Sequence, residues 1–227
     1  MEILVRLVES LTRRGVRRTL QTGMSISEDY LFDFRHGTNT ARRVRVSTLF
    51  VPSVNKSEAM DYIPTRGRAF RKLLAALDLP ADSVFVDFGC GKGKLLLLAS
   101  HLGFKRVVGL EFSPELCEVA RRNAAVYRRH AKSAIEIVCT DVTDYEFADD
   151  ENVLFFFNPF NRSVMTRVLE KIEASFVRNP REIRLIYNDP AWLDLIERGT
   201  DFRKTCTFVY GGHEFVVFNK SARACAA

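Results

Sequence analysis

The sequence predicts an α/β protein: a doubly wound, mostly parallel seven-stranded sheet with a terminal antiparallel hairpin, preceded by an N-terminal extension of helix and loops. Three observations carry this. Between residues 84 and 187, short runs of β-branched and aromatic residues alternate with stretches of helical period, the rhythm of parallel strands covered by helices on both faces. A turn with glycines at 89, 91 and 93 joins the first of these strands to its helix. The chain then closes on CTFVYGGHEFVVF at residues 206–218, where Gly211 and Gly212 make a two-residue turn because both accept positive φ.

At the N-terminus, Ile3, Leu4, Leu7, Val8 and Leu11 fall at helical spacing and are followed by Arg13, Arg14, Arg17 and Arg18, which predicts an amphipathic helix over residues 3–20. Residues 21–60 show no clear period and read as loop-rich, with the polar stretch from Asp33 to Thr40 and with Tyr30, Phe32 and Phe34 placed to close over a pocket. Phe70, Leu73, Leu74 and Leu77 then mark one helix face ending near Pro80. Strands follow at 84–86, 106–110, 135–139, 153–157 and 183–187, with helices at 94–101, 114–130 and 164–176; Pro114 sits at a first turn, where its missing N–H costs nothing. The expected organisation is a basic extension over residues 1–61, containing a helix and lid or substrate loops, and a main domain over 62–227.

Composition bounds the function. With 47% hydrophobic and 27% charged residues, the chain has the balance of one globular core. No apolar run reaches the roughly 18–20 residues that span a bilayer, and the first residues alternate aliphatics with arginines in place of a secretory core. A cytoplasmic protein without a transmembrane segment is expected. The five cysteines form no C-x-x-C pair, and the four histidines have no metal-ligand spacing, so neither a disulfide framework nor a metal site is expected. The net charge of +6 comes from residues 1–80, which hold 14 Lys and Arg against 8 Asp and Glu. Such a field suits an anionic partner: nucleic acid, an acidic protein surface, a lipid headgroup or a phosphorylated small molecule.

The chemistry begins at VFVDFGCGKGK, residues 84–94. A strand ending in Asp87, glycines at 89, 91 and 93, then a helix, let a ligand approach the backbone. A dinucleotide fingerprint requires glycine at 94, where Lys94 stands, and the phosphate-cradling G-x-x-x-x-G-K is not matched. The second strand ends in Glu111, placed to take ribose hydroxyls, and the third runs into Asp141 and Val142, a carboxylate for an exocyclic amino group and an apolar side chain for a purine face. The fourth apolar run, NVLFFF, stops at Asn158-Pro159-Phe160.

These four stations resemble the class I, Rossmann-like S-adenosylmethionine-dependent methyltransferases over residues 62 to about 218. The resemblance implies a seven-stranded sheet with its last strand inserted antiparallel and S-adenosyl-L-methionine as cofactor. It implies that Asp87 and the Gly89, Cys90, Gly91 and Gly93 loop lie against the methionine part, that Glu111 holds the ribose with Phe112 beside the adenine, and that Asp141 meets the adenine amino group beside Val142. Tyr62-x-Pro-Thr65 is similar to a motif that precedes the glycine loop in an uncharacterised bacterial group of these enzymes, where Tyr62 and Thr65 would close over the cofactor.

In relatives that methylate planar nitrogens, an Asn/Asp-Pro-Pro-Tyr/Phe motif accepts hydrogen bonds from the target N–H groups and stacks an aromatic ring on the acceptor. Here Asn158, Pro159 and Phe160 stand in that place as the catalytic candidates, with Asn158 also expected to touch the cofactor; the motif is one proline short, so base methylation does not carry over. The expected function is N-methylation of a protein side chain or small amine. The alternatives are a nucleic-acid methyltransferase, O- or C-methylation, and a non-catalytic cofactor-binding module that uses the N-terminal helix to bind a partner. Neither acceptor nor oligomeric state is written in these motifs.

Overall fold

The computed structural model describes residues 16–53, 62–80, 82–210 and 212–221. The N-terminal aliphatic run from Ile3 to Leu11, Arg13 and Arg14, and also Cys225 and Gly211, lie outside the described residues. In chain order the elements are α1 (Val16–His36), α2 (Gly67–Ala76), β1 (Val84–Phe88), α3 (Lys94–Ser100), β2 (Arg106–Glu111), α4 (Pro114–Tyr127), β3 (Ala134–Cys139), β4 (Glu151–Phe156), α5 (Arg162–Arg178), β5 (Ile183–Asn188), α6 (Leu193–Gly199), β6 (Arg203–Tyr210) and β7 (His213–Lys220). The seven strands form one sheet in the order β3-β2-β1-β4-β5-β7-β6. The first five run parallel, and β7 inserts antiparallel between β5 and β6. Tyr210 pairs with His213, so the two strands meet on either side of the two glycines.

The apolar density of β4 follows from its central position. Val153 and Phe155 enter the core on one face with α2 and α3, while Leu154 and Phe156 enter the core on the other with α5. A strand buried on both faces has no polar side to alternate with. Phe155 is fully buried, with rings of Phe70, Phe85 and Phe215 at centroid distances of 5.5, 6.1 and 6.5 Å. Phe155→Ala is therefore expected to lower the unfolding free energy by about 3–5 kcal/mol in urea titrations. Phe50→Ala, at a side chain 72% exposed, is expected to stay within about 0.5 kcal/mol of the parent.

Residues 21–36 correct the sequence reading: they are helical, the greater part of α1, and among the described residues that follow, 37–53 are loop with one 3-10 turn at Val46–Thr48. The helix escapes the apolar period because its inward face is largely polar. Asp29, Phe32, Asp33 and His36 recur every three or four residues and face the domain. Asp29 is buried against Arg66 and Lys94, Asp33 accepts bonds from Thr38, Thr40 and Ala41, and the His36 ring packs on Tyr127 and His130. Tyr30 and Phe34 point outward, 55% and 88% exposed, so of the three aromatics expected over a pocket only Phe32 turns inward. The short helix α6 has no counterpart in the sequence reading, since its 7 residues are too few to show a period.

Candidate active site at the carboxyl ends of the parallel strands

Beside β1 the sheet reverses its strand order, with β2 on one side and β4 on the other, and the crevice beyond such a switch point is where doubly wound sheets hold ligands. A cavity of about 230 Å³ lies there. Its walls include Asp87, Gly89, Cys90, Glu111, Phe112 and Asp141. Val142, Asn158, Pro159, Phe160, Tyr62 and Thr65 line it as well. Gly91 and Gly93 do not line it.

Asp87 and Glu111 are buried carboxyls at the tips of adjacent strands. Burial, together with the nearby charge of Glu111, pushes the Asp87 carboxyl up to about 8. Burial likewise raises Glu111 to about 7, against the opposing effect of backbone N–H groups. Those donors include Gly91, at 2.9 Å from Oε2, and Ser113, at 3.0 Å from Oε1, with Phe112 adding to them. No hydrogen-bond or ion-pair partner of Asp87 is found among the described residues.

The glycine loop is fixed from both sides. Gly89 and Cys90 donate their N–H groups to Leu110 O at 2.9 Å. Gly89 takes φ +77°, and a Cβ there would stand 2.7 Å from Pro159 Cβ, so the loop and the corner after β4 are in direct contact. Gly91, at φ +54°, is covered by the Tyr62 ring, whose Cδ2 would lie 2.1 Å from an added Cβ. Its role is thus to admit Tyr62, whose hydroxyl donates to Thr40 O at 2.8 Å. Burial pushes the phenol of Tyr62 well up.

Residues 44–53 cover the cavity's β2–β3 side. Leu49 and Val51 pack with Leu116 and beside Phe112. Ser53 Oγ donates to Asp141 Oδ2 at 2.5 Å, Phe50 N donates to Glu115 Oε1 at 2.8 Å, and Val46 lines the cavity itself. Asp141 Oδ1 meanwhile accepts from the N–H and hydroxyl of Thr143 at 2.9 and 2.7 Å.

On the β4 side, Asn158 adopts φ +40°, a strained conformation that an asparagine tolerates better than most residues. Its amide is tied to the β5–α6 connection: Nδ2 donates to Asp189 O at 2.5 Å, and Oδ1 accepts from Ala191 N at 3.0 Å. Asp189 in turn holds His213 Nδ1 at 2.7 Å, and the His213 ring stands edge-on to Phe157, another cavity residue, at 6.2 Å. The Phe160 ring is buried and edge-on to Phe156 at 6.3 Å.

Residues 85–177 match a family model described as a methyltransferase domain. Residues 85–177 therefore carry a methyltransferase domain, and the sheet order around them is the one expected of the class I S-adenosylmethionine-dependent fold. Among curated relatives of this methyltransferase domain, a ribosomal protein L11 methyltransferase of Tolumonas auensis is 45% identical over 51 residues, 22% of this chain and 17% of that protein. An ATP synthase lysine N-methyltransferase of Rattus norvegicus is 24% identical over 147 residues, 65% of each chain. Both matches span less than two thirds of the relative's length. An RNA methyltransferase from Salinibacter ruber, in complex with S-adenosyl-L-homocysteine, shares the fold with a TM-score of 0.54 at 18% identity, covering 73% of this chain and 98% of that one.

The methyltransferase cavity suits that cofactor chemically. An unpartnered buried carboxyl, Asp87, matches an α-ammonium; Glu111 and Asp141 offer oxygen acceptors for hydroxyl and amino donors; Phe112 and Val142 offer apolar surface. Among the described residues no group of three or more His, Cys, Asp or Glu is arranged to hold a metal ion, and no helix is long and apolar enough to cross a membrane. Lys94, Phe157 and the covering residue Val46 also line the cavity, beyond the residues that the motifs single out. The signal for Lys94 is its breaking of the dinucleotide fingerprint. Phe157 is hidden in an apolar run that reads as strand interior, and Val46 carries no motif.

Proposed function

We propose that the methyltransferase domain binds S-adenosyl-L-methionine through Asp87, the Gly89 loop, Glu111, Phe112, Asp141 and Val142, under Tyr62 and Thr65, and methylates a nitrogen of a protein side chain or small amine. One observation carries this reading: a single cavity is lined by carboxyl groups after three adjacent strands and by Asn158-Pro159-Phe160 after a fourth. When bound, the cofactor supplies a methyl group on a sulfonium that leaves as a thioether. The protein's part is to hold the acceptor in line with that methyl group, and such positioning contributes about 7–11 kcal/mol to a barrier of this kind.

Asn158 is suited to that task. One lone pair of Oδ1 is taken by Ala191 N, the second remains for an acceptor N–H, and the Asp189 and Pro159 contacts fix the side chain and backbone. Phe157 and Phe160 give the acceptor an apolar wall, which disfavours an ammonium and so favours the neutral amine that attacks. The names of two relatives specify protein acceptors, one of them a lysine nitrogen.

A nucleic-acid acceptor is the second reading, favoured by Arg42, Arg43 and Arg45, all exposed at or just before the segment that covers the cavity. Incubating the chain with methyl-deuterated S-adenosyl-L-methionine and cell extract, followed by mass spectrometry of protein, nucleic acid and small molecules, separates the readings. The expected result is deuterated methyl on a nitrogen of a protein or small amine. Label confined to RNA or DNA establishes the second reading, and no label with no S-adenosylhomocysteine formed overturns both.

A further inference from the structure

We propose that Lys94 receives the α-carboxylate of the cofactor's amino-acid head, so that the site selects ligands carrying that head intact. This rests on the cofactor reading above and adds the residue that pairs with the ligand's negative group.

Lys94 opens α3 at the cavity wall, and its side chain is only 3% exposed. Its Nζ lies 3.5 Å from Asp29 Oδ1, the limit of hydrogen-bonding distance, and makes no closer polar contact. Asp29 is shared: its Oδ2 also meets Arg66 Nη1 at 3.3 Å. Asp29 thus faces two cations; a second carboxylate, Asp33, and a third cation, Arg71, also act on Lys94, so with Lys94 itself the cations outnumber the carboxylates. The Phe32 ring, 4.0 Å from Nζ, stabilises the ammonium on another side but supplies no hydrogen-bond acceptor.

An ammonium taken out of water without full hydrogen bonding is costly, and its three donors call for oxygen acceptors. The same cavity holds the opposite deficit in Asp87, a buried carboxyl without a donor. A ligand that answers both carries an ammonium and a carboxylate, as the amino-acid head of the proposed cofactor does. A ligand with the amine alone satisfies Asp87 and leaves Lys94 unanswered.

The test is calorimetric binding to the full chain of S-adenosylhomocysteine and of its decarboxylated analogue, with thermal unfolding of each variant as the folding control. The parent is expected to bind the intact compound about 10- to 100-fold more tightly, the scale of a hydrogen bond between charged groups. Lys94→Met is expected to erase most of that preference while leaving the analogue's affinity within about 2-fold; Lys94→Arg, which keeps the charge, retains part of it. A parent that binds both compounds equally overturns the assignment, as does a Lys94→Met variant that is folded and weakens both compounds alike. A parent that binds neither compound overturns the cofactor reading itself.

Discussion

On the binding proposed above, Asp87→Asn is expected to weaken S-adenosylhomocysteine binding by about 10- to 100-fold, because the ligand's ammonium loses the carboxylate that it would pair with. The same substitution is not expected to destabilise the empty protein. In the folded chain the Asp87 carboxyl titrates at about 8 against an ordinary value of 3.8, so folding holds its proton more tightly than the unfolded chain does. Its contribution to stability is complete below pH 4 and is lost as pH rises to 8. An asparagine has no charge to bury, so the pH-dependent loss between those limits should shrink in the variant. Ligand binding runs the other way: the ammonium pairs with the ionised carboxylate, so affinity in the parent rises from pH 6 to 8 with release of protons, and the rise is reduced in Asp87→Asn. Calorimetry in buffers of different ionisation enthalpy reads both the affinity and the proton count.

Gly89→Ala is the second large effect. An alanine must adopt φ +77° and place its Cβ 2.7 Å from Pro159 Cβ, and a proline ring on a fixed corner has little freedom to yield. Strain and overpacking together are expected to cost about 2–4 kcal/mol of stability. The more telling consequence is in turnover. Pushing Pro159 moves Asn158 and Phe160, and a misplacement of about 1 Å at a positioning group costs roughly 100-fold in rate. Activity should therefore fall further than cofactor affinity, as separated by single-turnover kinetics and calorimetry.

The sheet is legible in the sequence because its signals are local. NVLFFF, the glycine turn and the final two-residue hairpin each state their conformation within a few residues, and their order fixes a parallel sheet with an antiparallel end. Asp87, Glu111 and Asp141 are legible for the same reason: each follows a readable strand, and strand tips converge. The extension is not. The inward face of α1 is Asp29, Phe32, Asp33 and His36, whose partners Arg66, Lys94 and Thr40 lie far along the chain or in a loop, so no apolar period announces the helix. Lys94 illustrates the same limit. Its sequence position shows what the glycine loop is not, and only folding brings it beside Asp29, Arg66 and the cavity. The contact of Gly89 with Pro159 likewise joins two motifs that in the sequence are about seventy residues apart.

Whether this cavity holds the methyl donor is decided by calorimetric titration of the full chain with S-adenosyl-L-methionine. One-to-one binding is expected, with a Kd of about 1 µM to 1 mM, the range of enzyme KM values, and a matching rise in thermal unfolding temperature. No heat of binding at millimolar ligand, with the unfolding temperature unchanged, contradicts the cofactor assignment and every role that rests on it.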